Sequence, residues 1–493
     1  MKQLKNIIIA CKDNIKIPEE IKKLIESKSY YIRINNVYSA KELEVELSNL
    51  IKNKSFDLEY GGDYEDSYSL DYLKSVNIVE LNQSENNYAY CNDTKELIEE
   101  ITISKNLKEL YIKSTNFKEI PKWLFDLYNI EKLFINCDSL EELPKEIGKL
   151  TNLKEFDIES ANLKKLPKEI GNLVNLKELY IYCENLEELP KDITKLINLK
   201  KIYINCSNLK ELPKEIGNLV NLKELYINCD SLEKIPEEIG NLTNLQELDI
   251  HCENLKDLPN EIGNLANLKI FSLGKYSFNE NSNLKIIPKE IGKLISLKEF
   301  DIFSSNLKEL PKEIGDLVNL ERLEIDCDSL EELPHEIGNL INLKRFEIDC
   351  DKLKELPEEI GNLFKMEYFS MYSEVLKELP KSIGNFTKLR SLGLDCSNLE
   401  RLPKEIENLK IIKGIDIRSD KLKEFPKEIL SMPKLERIDL HGNGIKEIPK
   451  EIINLTKLEK LDMQYCANLK KTPKKIGHLI RESKSKVKCW WNF

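Results

Sequence analysis

Histidine and tryptophan are scarce in this chain, at four and three residues among 493. No Cys-x-x-Cys pair occurs, and His251, His335, His441 and His478 are scattered. The spacings that build zinc sites are therefore missing, and no metal or cofactor is expected. There is no G-x-x-x-x-G-K-[ST], no G-x-G-x-x-G and no defensible Ser–His–Asp arrangement, so nothing marks a nucleotide site or a hydrolase. Positive charge is also short. The balance of 75 Lys and Arg against 86 Asp and Glu leaves a net charge of −11, which excludes general nucleic-acid binding, since that relies on neutralising phosphates. No apolar run approaches the roughly 18 residues that cross a bilayer. Ile8-Ile9-Ala10-Cys11 superficially resembles a lipoprotein cleavage site. Its apolar run falls short of the roughly 7–15 residues of a signal-peptide core. A cytoplasmic location is expected, the alternative being secretion by a route without a recognisable signal peptide.

What the chain has in abundance is repetition. From Asn106 it recurs every 23 residues as LxxLxIxCxNLxxLPxxIGNLxN, with clear examples at Leu176, Leu199 and Leu222. Sixteen of the 18 prolines occupy one place in this unit, from Pro121 and Pro144 onward to Pro473. LxxLxI carries aliphatics two apart, the period of a strand with one buried face. Proline stops the strand and starts a turn, and the glycine of IGNL is expected to serve the bend back. A single unit cannot bury its leucines, so neighbours must stack into a parallel sheet with short turns outside. The fold class is α/β, a leucine-rich repeat solenoid with a curved parallel sheet on its concave face. The expected division is 1–105, a small α/β cap domain or degenerate repeats; 106–480, sixteen repeats; and 481–493, a basic and aromatic tail.

LPxxIGNLxNL resembles intracellular leucine-rich repeat proteins of the Ras-suppressor and plant Ras-group type. CSNLKELP at Cys206–Pro213 is similar to the repeats of plant disease-resistance proteins. The resemblance covers about three quarters of the chain and implies an interaction module. Most units here read IxC, one residue shorter than the usual LxLxxN or LxLxxC, and no nucleotide-binding module accompanies them, so that signalling chemistry is not implied. The richness in Asn, Lys and Ile points to an AT-rich, bacterial genome.

Eight of the twelve cysteines (Cys137, Cys183, Cys206, Cys229, Cys252, Cys327, Cys350, Cys396) share one repeat position, which Ser114, Ser160, Ser304, Ser373 and Ser419 fill elsewhere. The column asks for a small, inward, weakly polar side chain that satisfies turn backbone. It reads as packing, and unpaired buried thiols suit a reducing compartment.

Residues flanking the inward Ile of each strand point outward. Tyr111, Phe134, Tyr180, Tyr182, Tyr203 and Tyr226, with His251 next, form an aromatic stripe. Glu324, Asp326, Glu347, Asp349, Asp395, Asp416, Asp439 and Asp462 form an acidic one with few basic neighbours. Aromatics in register suit an interface, and carboxylates steer a basic partner. The plainer alternative is strand preference for Tyr and a solvated acidic face. Two successive EIDCD segments align Glu324, Asp326 and Asp328 with Glu347, Asp349 and Asp351, a conceivable calcium cluster without a dedicated ligand loop.

Tyr276–Asn281 is an insertion expected to bulge from the rim. In the N-terminal region, strands at Tyr30–Ile34 and Val76–Leu81, helices at Ser39–Lys52 and Thr94–Ile101, and an acidic loop at Asp57–Asp71 are expected. Trp490 and Trp491 follow a basic stretch and are expected to cover the last repeat or to touch an anionic membrane. The function expected is a monomeric, non-enzymatic scaffold that binds a protein with a basic surface on its concave face. The alternatives are an exported effector or adhesin that binds host proteins, and an enzyme hidden in residues 1–105.

Overall fold

The computed structural model describes residues 108–473, with breaks at 115–117, 121, 275–281, 443, 464–465 and 467. Beyond that span it describes only the strands Ile7–Ala10, Ile32–Asn35, Leu58–Gly61, Val79–Leu81, Tyr88–Asn92 and Ile480–Arg481. The insertion, the N-terminal helices and the C-terminal tail therefore lie outside the described residues. Leu58–Gly61 is a strand, parallel to Ile32–Asn35, where the sequence suggested only an acidic loop.

The chain forms two compact units, residues 1–184 and 185–493. In the first, the strands Tyr88–Asn92, Glu109–Ser114, Lys132–Cys137, Glu155–Glu159 and Glu178–Tyr182 pair in parallel, each with the next. In the second, parallel pairing runs repeat by repeat from Lys201–Asn205 to Lys460–Asp462. Residue i faces residue i+23, as in Tyr203 opposite Tyr226. Across the insertion Ile270 instead faces Glu299, so the extra residues leave the ladder intact. Sixteen strands of this kind, Glu109–Ser114 to Lys460–Asp462, give one per repeat, and the fold is the leucine-rich repeat solenoid.

One repeat shows why. Leu225 and Ile227 alternate inward along Glu224–Asn228 and are buried, while Glu224, Tyr226 and Asn228 face out and are half-buried. Pro236, at φ −67° and with no N–H to offer a ladder, opens the 3-10 turn Glu237–Asn241. The turn buries Ile239 and closes with Leu242 N–H donating to Ile239 O at 3.1 Å. Leu232, Ile235, Leu242 and Leu245 complete the layer, each no more than 5 % exposed.

Two details differ from the sequence reading. The glycine of IGNL does not serve a positive-φ bend, since Gly274 alone among the described glycines has positive φ. A Cβ on Gly217 would stand 2.3 Å from the carbonyl oxygen of Glu238 one repeat on. Glycine is there so that successive turns can touch. The amide ladder also lies away from the cysteine column. Asn221, Asn244, Asn319 and Asn342 each donate through Nδ2 to a carbonyl of the preceding repeat, at 2.7–2.8 Å. The cysteine column is inward and small, as expected. Cys327 and Cys350 reach carbonyls only at 3.8 Å, while Ser304 Oγ donates to Leu284 O at 2.7 Å and accepts from two backbone N–H groups. Nine described cysteines are buried.

Candidate partner-binding face

The open face of each sheet carries two main columns of side chains, one on either side of the inward Ile. In the first unit, Tyr111, Phe134, Asp157 and Tyr180 share a column by register, and Tyr182 stands in the next. The Tyr111 and Phe134 rings stack at 4.3 Å, 1° from parallel, and Tyr180 donates to Glu178 at 2.9 Å. The stripe is not continuous. Asp157 interrupts it, and burial followed by Glu159 and Glu155 raises its carboxyl to about 6.

In the second unit, Tyr203 stacks on Tyr226 at 5.7 Å, with Lys201 Nζ 4.9 Å from the Tyr226 ring centre. Burial and neighbouring carboxylates push the Tyr226 phenol well above its ordinary value. The column then runs through Asp249, Ser272, Asp301, Glu324 and Glu347. The parallel column carries Phe303, Asp326, Asp349, Tyr372 and Asp395 in successive repeats. All ten side chains expected at the interface thus lie on the open faces, four in the first unit and six in the second.

The acidic stripe has more basic company than its sequence suggested. Arg322 Nη1 donates to both oxygens of Asp301, at 2.7 and 2.8 Å, and Nη2 contacts Glu324. Arg345 Nε donates to Glu347 at 2.6 Å, and Arg418 lies 3.6 Å from Asp395 and 3.3 Å from Asp416. Arg322 and Arg345 open their strands and hold the nearer column, whereas Arg418 closes its strand beside Asp395 and reaches both columns. Glu324 is still raised to about 7, by burial first and Glu347 second.

Asp326 and Asp349 are different. Phe303, 7 % exposed, precedes them and Tyr372 follows. Burial is the largest cause acting on both, with Asp349 next for Asp326 and Asp351 next for Asp349. Their carboxyls rise to about 7 and about 6. No cation contributes appreciably to either. The result is a carboxylate pair walled by aromatic side chains, a feature the sequence reading missed. Reading every 23rd residue down that column would have shown it. The six EIDCD carboxylates do not gather into a three-ligand group. Among the described residues, Asp439, His441 and Asp462 alone place donor atoms within 4.8 Å of one another.

A cleft of about 690 Å³ opens in the first unit, lined by Glu141, Asn162, Lys164 and Pro167 among others, and holds none of the expected site residues. Among the described residues no helix is long and apolar enough to cross a membrane.

Comparison with known proteins agrees with this geometry. A family profile described as a leucine-rich repeat region matches residues 136–232, 214–306, 268–381 and 377–482. A second, of R13L1/DRL21 leucine-rich repeats, matches residues 40–161. A leucine-rich repeat protein of Leptospira interrogans is 31% identical, over 68% of this chain and 90% of its own, with a TM-score of 0.50. Toll from Drosophila, solved in complex with Spätzle, shares the fold at 13% identity and a TM-score of 0.59, over 93% of this chain and 57% of its own. A search of curated protein sequences finds no match. Leucine-rich repeat proteins act generally as protein-interaction scaffolds. By its repeats, its parallel strands and these matches, the chain belongs to the leucine-rich repeat family.

Proposed function

We propose that the protein is a non-catalytic scaffold that binds a protein partner on the open face of its sheet and engages a lysine or arginine of that partner between Asp326 and Asp349. The observation that carries this reading is the placement of two carboxylates, Asp326 half-buried and Asp349 more exposed, between Phe303 and Tyr372 in one column. An apolar wall suits the aliphatic stem of a basic side chain, and carboxylates raised toward neutrality gain most from an incoming cation. In the second unit, Tyr203 and Tyr226 add stacked, half-buried rings of the kind that anchor interfaces.

The test is affinity purification from the native cell with wild type, Asp326→Asn/Asp349→Asn and Tyr203→Ala/Tyr226→Ala, matched for melting temperature. The expected result is a partner retained by wild type, lost by the carboxylate variant, and released by salt more readily than by detergent. A partner kept equally by all three proteins refutes the assignment to this face. Because binding a cation favours the ionised carboxylates, affinity is expected to rise between pH 6 and pH 8, the range of the two raised carboxyls.

A further inference from the structure

We propose that the turn-side edge of the second unit is a self-association surface, on which a second copy of this chain packs antiparallel about a two-fold axis between Val318 and Ile341. Ile295, Val318, Ile341 and Phe364 occupy one place in four successive repeats, between the 3-10 turn and the strand. They are 57, 41, 51 and 55 % exposed. Asn319 and Asn342 donate through Nδ2 to Ile295 O and Val318 O, at 2.8 and 2.7 Å, so the row is held in register, one side chain per repeat. A contiguous row of large apolar side chains in water marks an interaction surface.

The flanking charges select the occupant. Three residues on, at the strand side, the same repeats carry Lys298, Glu321, Lys344 and Glu367, alternating in sign. Within the chain, Lys298 lies 3.2 Å from Glu321, which also contacts Lys344, and Arg390 lies 3.7 Å from Glu367. Turned end for end about the axis, this row sets Lys298 against Glu367 of the second copy and Glu321 against Lys344. Each charge then has opposite charges both beside it and across from it. The apolar row matches in the same register, Ile295 against Phe364 and Val318 against Ile341.

Other arrangements meet like charges. With the stripes parallel, the strand-side row faces the residues two before the stripe, which sets Lys298 against Lys293 and Glu321 against Asp316. An anionic membrane would meet Glu321, Glu367 and Asp316 along with the lysines, and the mixed sign disfavours it. Ile197 and Val220 continue the column, but Lys200 and Lys223 beside them form a row of one sign that repels its copy. One step outside the four repeats the stripe ends at Ala266 and Thr387, and Lys269 would face Arg390. The contact is thus confined to four repeats, short of the roughly 20–30 residues a side of a standard interface, and the dimer is weak. Its charges fix orientation more than affinity. The association replaces the monomer expected from the sequence and leaves the open face of the sheet free for its own partner.

The experiment is sedimentation equilibrium of the full chain from micromolar to several hundred micromolar, with melting temperature as the check on folding. Wild type is compared with Ile341→Glu, Glu321→Lys, Lys344→Glu and an equimolar mixture of the last two. The expected result for wild type is a reversible dimer with Kd of about 10–100 µM. Ile341→Glu, which enters the interface twice by symmetry, should weaken it at least about tenfold. Each charge variant sets like charges across the axis and should weaken it at least about fivefold. Their mixture should associate as wild type does, because the new lysine of one meets the new glutamate of the other, and that result decides the matter if Ile341→Glu unfolds. A wild type monomeric at the highest concentration, a dimer unchanged by Ile341→Glu, or a mixture no stronger than its components would overturn the proposal. So would a monomeric wild type that binds phosphatidylserine vesicles through this stripe.

Discussion

Asp326 offers the sharpest test of how the open face is built, because its cost to the fold can be worked out from its surroundings. Its carboxyl is raised from 3.8 to about 7, first by burial and then by Asp349, Asp328, Glu324 and Asp351. Each pH unit of such a difference is worth about 1.4 kcal/mol, which sets a ceiling of about 4 kcal/mol on the destabilisation caused by ionising this group. Part of that belongs to neighbours that reprotonate or move apart, so about half, roughly 2 kcal/mol, is the working figure. The direction follows from the raised value. The folded protein prefers the protonated acid, so this contribution to stability is complete below the unfolded value near 4 and is lost as pH rises to about 7.

Asp326→Asn keeps the shape and removes the charge. It should leave stability unchanged at pH 4 and raise it by about 2 kcal/mol at pH 8. For a unit of about 300 residues that is roughly 3 °C in melting temperature, from an unfolding entropy near 2.1 cal/mol/K per residue. Calorimetric scans of both proteins at the two pH values provide the assay. An Asn variant less stable than wild type at pH 8, or a gain of equal size at pH 4, would refute the account, since neither can come from an acid with its carboxyl held up by burial and like charge. A protein stabilised by removing a surface acid is also one in which that acid is retained for something other than folding.

Glycine should be required where the next repeat touches it and dispensable where contact is absent, as a turn glycine and a strand glycine can show. Gly338→Ala puts a Cβ 2.3 Å from Glu359 O and is expected to cost about 1–3 kcal/mol in denaturant melts. Gly414→Ala, with nothing nearer than Ser391 Oγ at 3.8 Å, should change the midpoint little, and an equal loss at both sites would contradict the close-approach explanation. In the inward column, Ser304→Ala removes the partner of Leu284 O and of two backbone N–H groups. Its expected cost is about 1–3 kcal/mol. Cys350→Ser exchanges a weak 3.8 Å sulfur contact for a hydroxyl and should cost less. The reverse order would show that the column is not selected by hydrogen bonding. The native thiols should resist a soluble disulfide reagent, because burial raises those of Cys229 and Cys327 far above the ordinary range, and prompt labelling would count against the packing.

The fold was legible because each of its causes is local and repeated. Leu225 and Ile227 two apart give a strand, Pro236 ends it, and a period of 23 fixes the partner of every residue without any calculation of energy. The glycine was misread for an instructive reason. Its constraint comes from Glu238 one repeat later, and nothing within Lys214–Asn218 reports that distance. Likewise, the asparagine of NLxN looked like part of the consensus, yet its amide is spent on the carbonyl of a neighbouring repeat.

The open face shows the same limit in its chemistry. Which side chains point out follows from strand alternation, and all ten expected residues do so. What those side chains are like chemically depends on residues 23 and 46 positions away, and a reading along the chain puts such neighbours far apart. Glu324 and Asp326 are two residues apart and looked equivalent in EIDCD. Glu324 contacts Arg322, whereas Asp326 lies between the Phe303 position and Asp349. His441 counted as a scattered histidine until the register placed Asp439 opposite Asp462 beside it. In a protein of this architecture the functional sentence is written down the columns, and its grammar is the repeat length. The fold is robust to exchanging one outward residue for another, so stability places few demands on the face, and departures from the consensus there are the residues with which specificity is built.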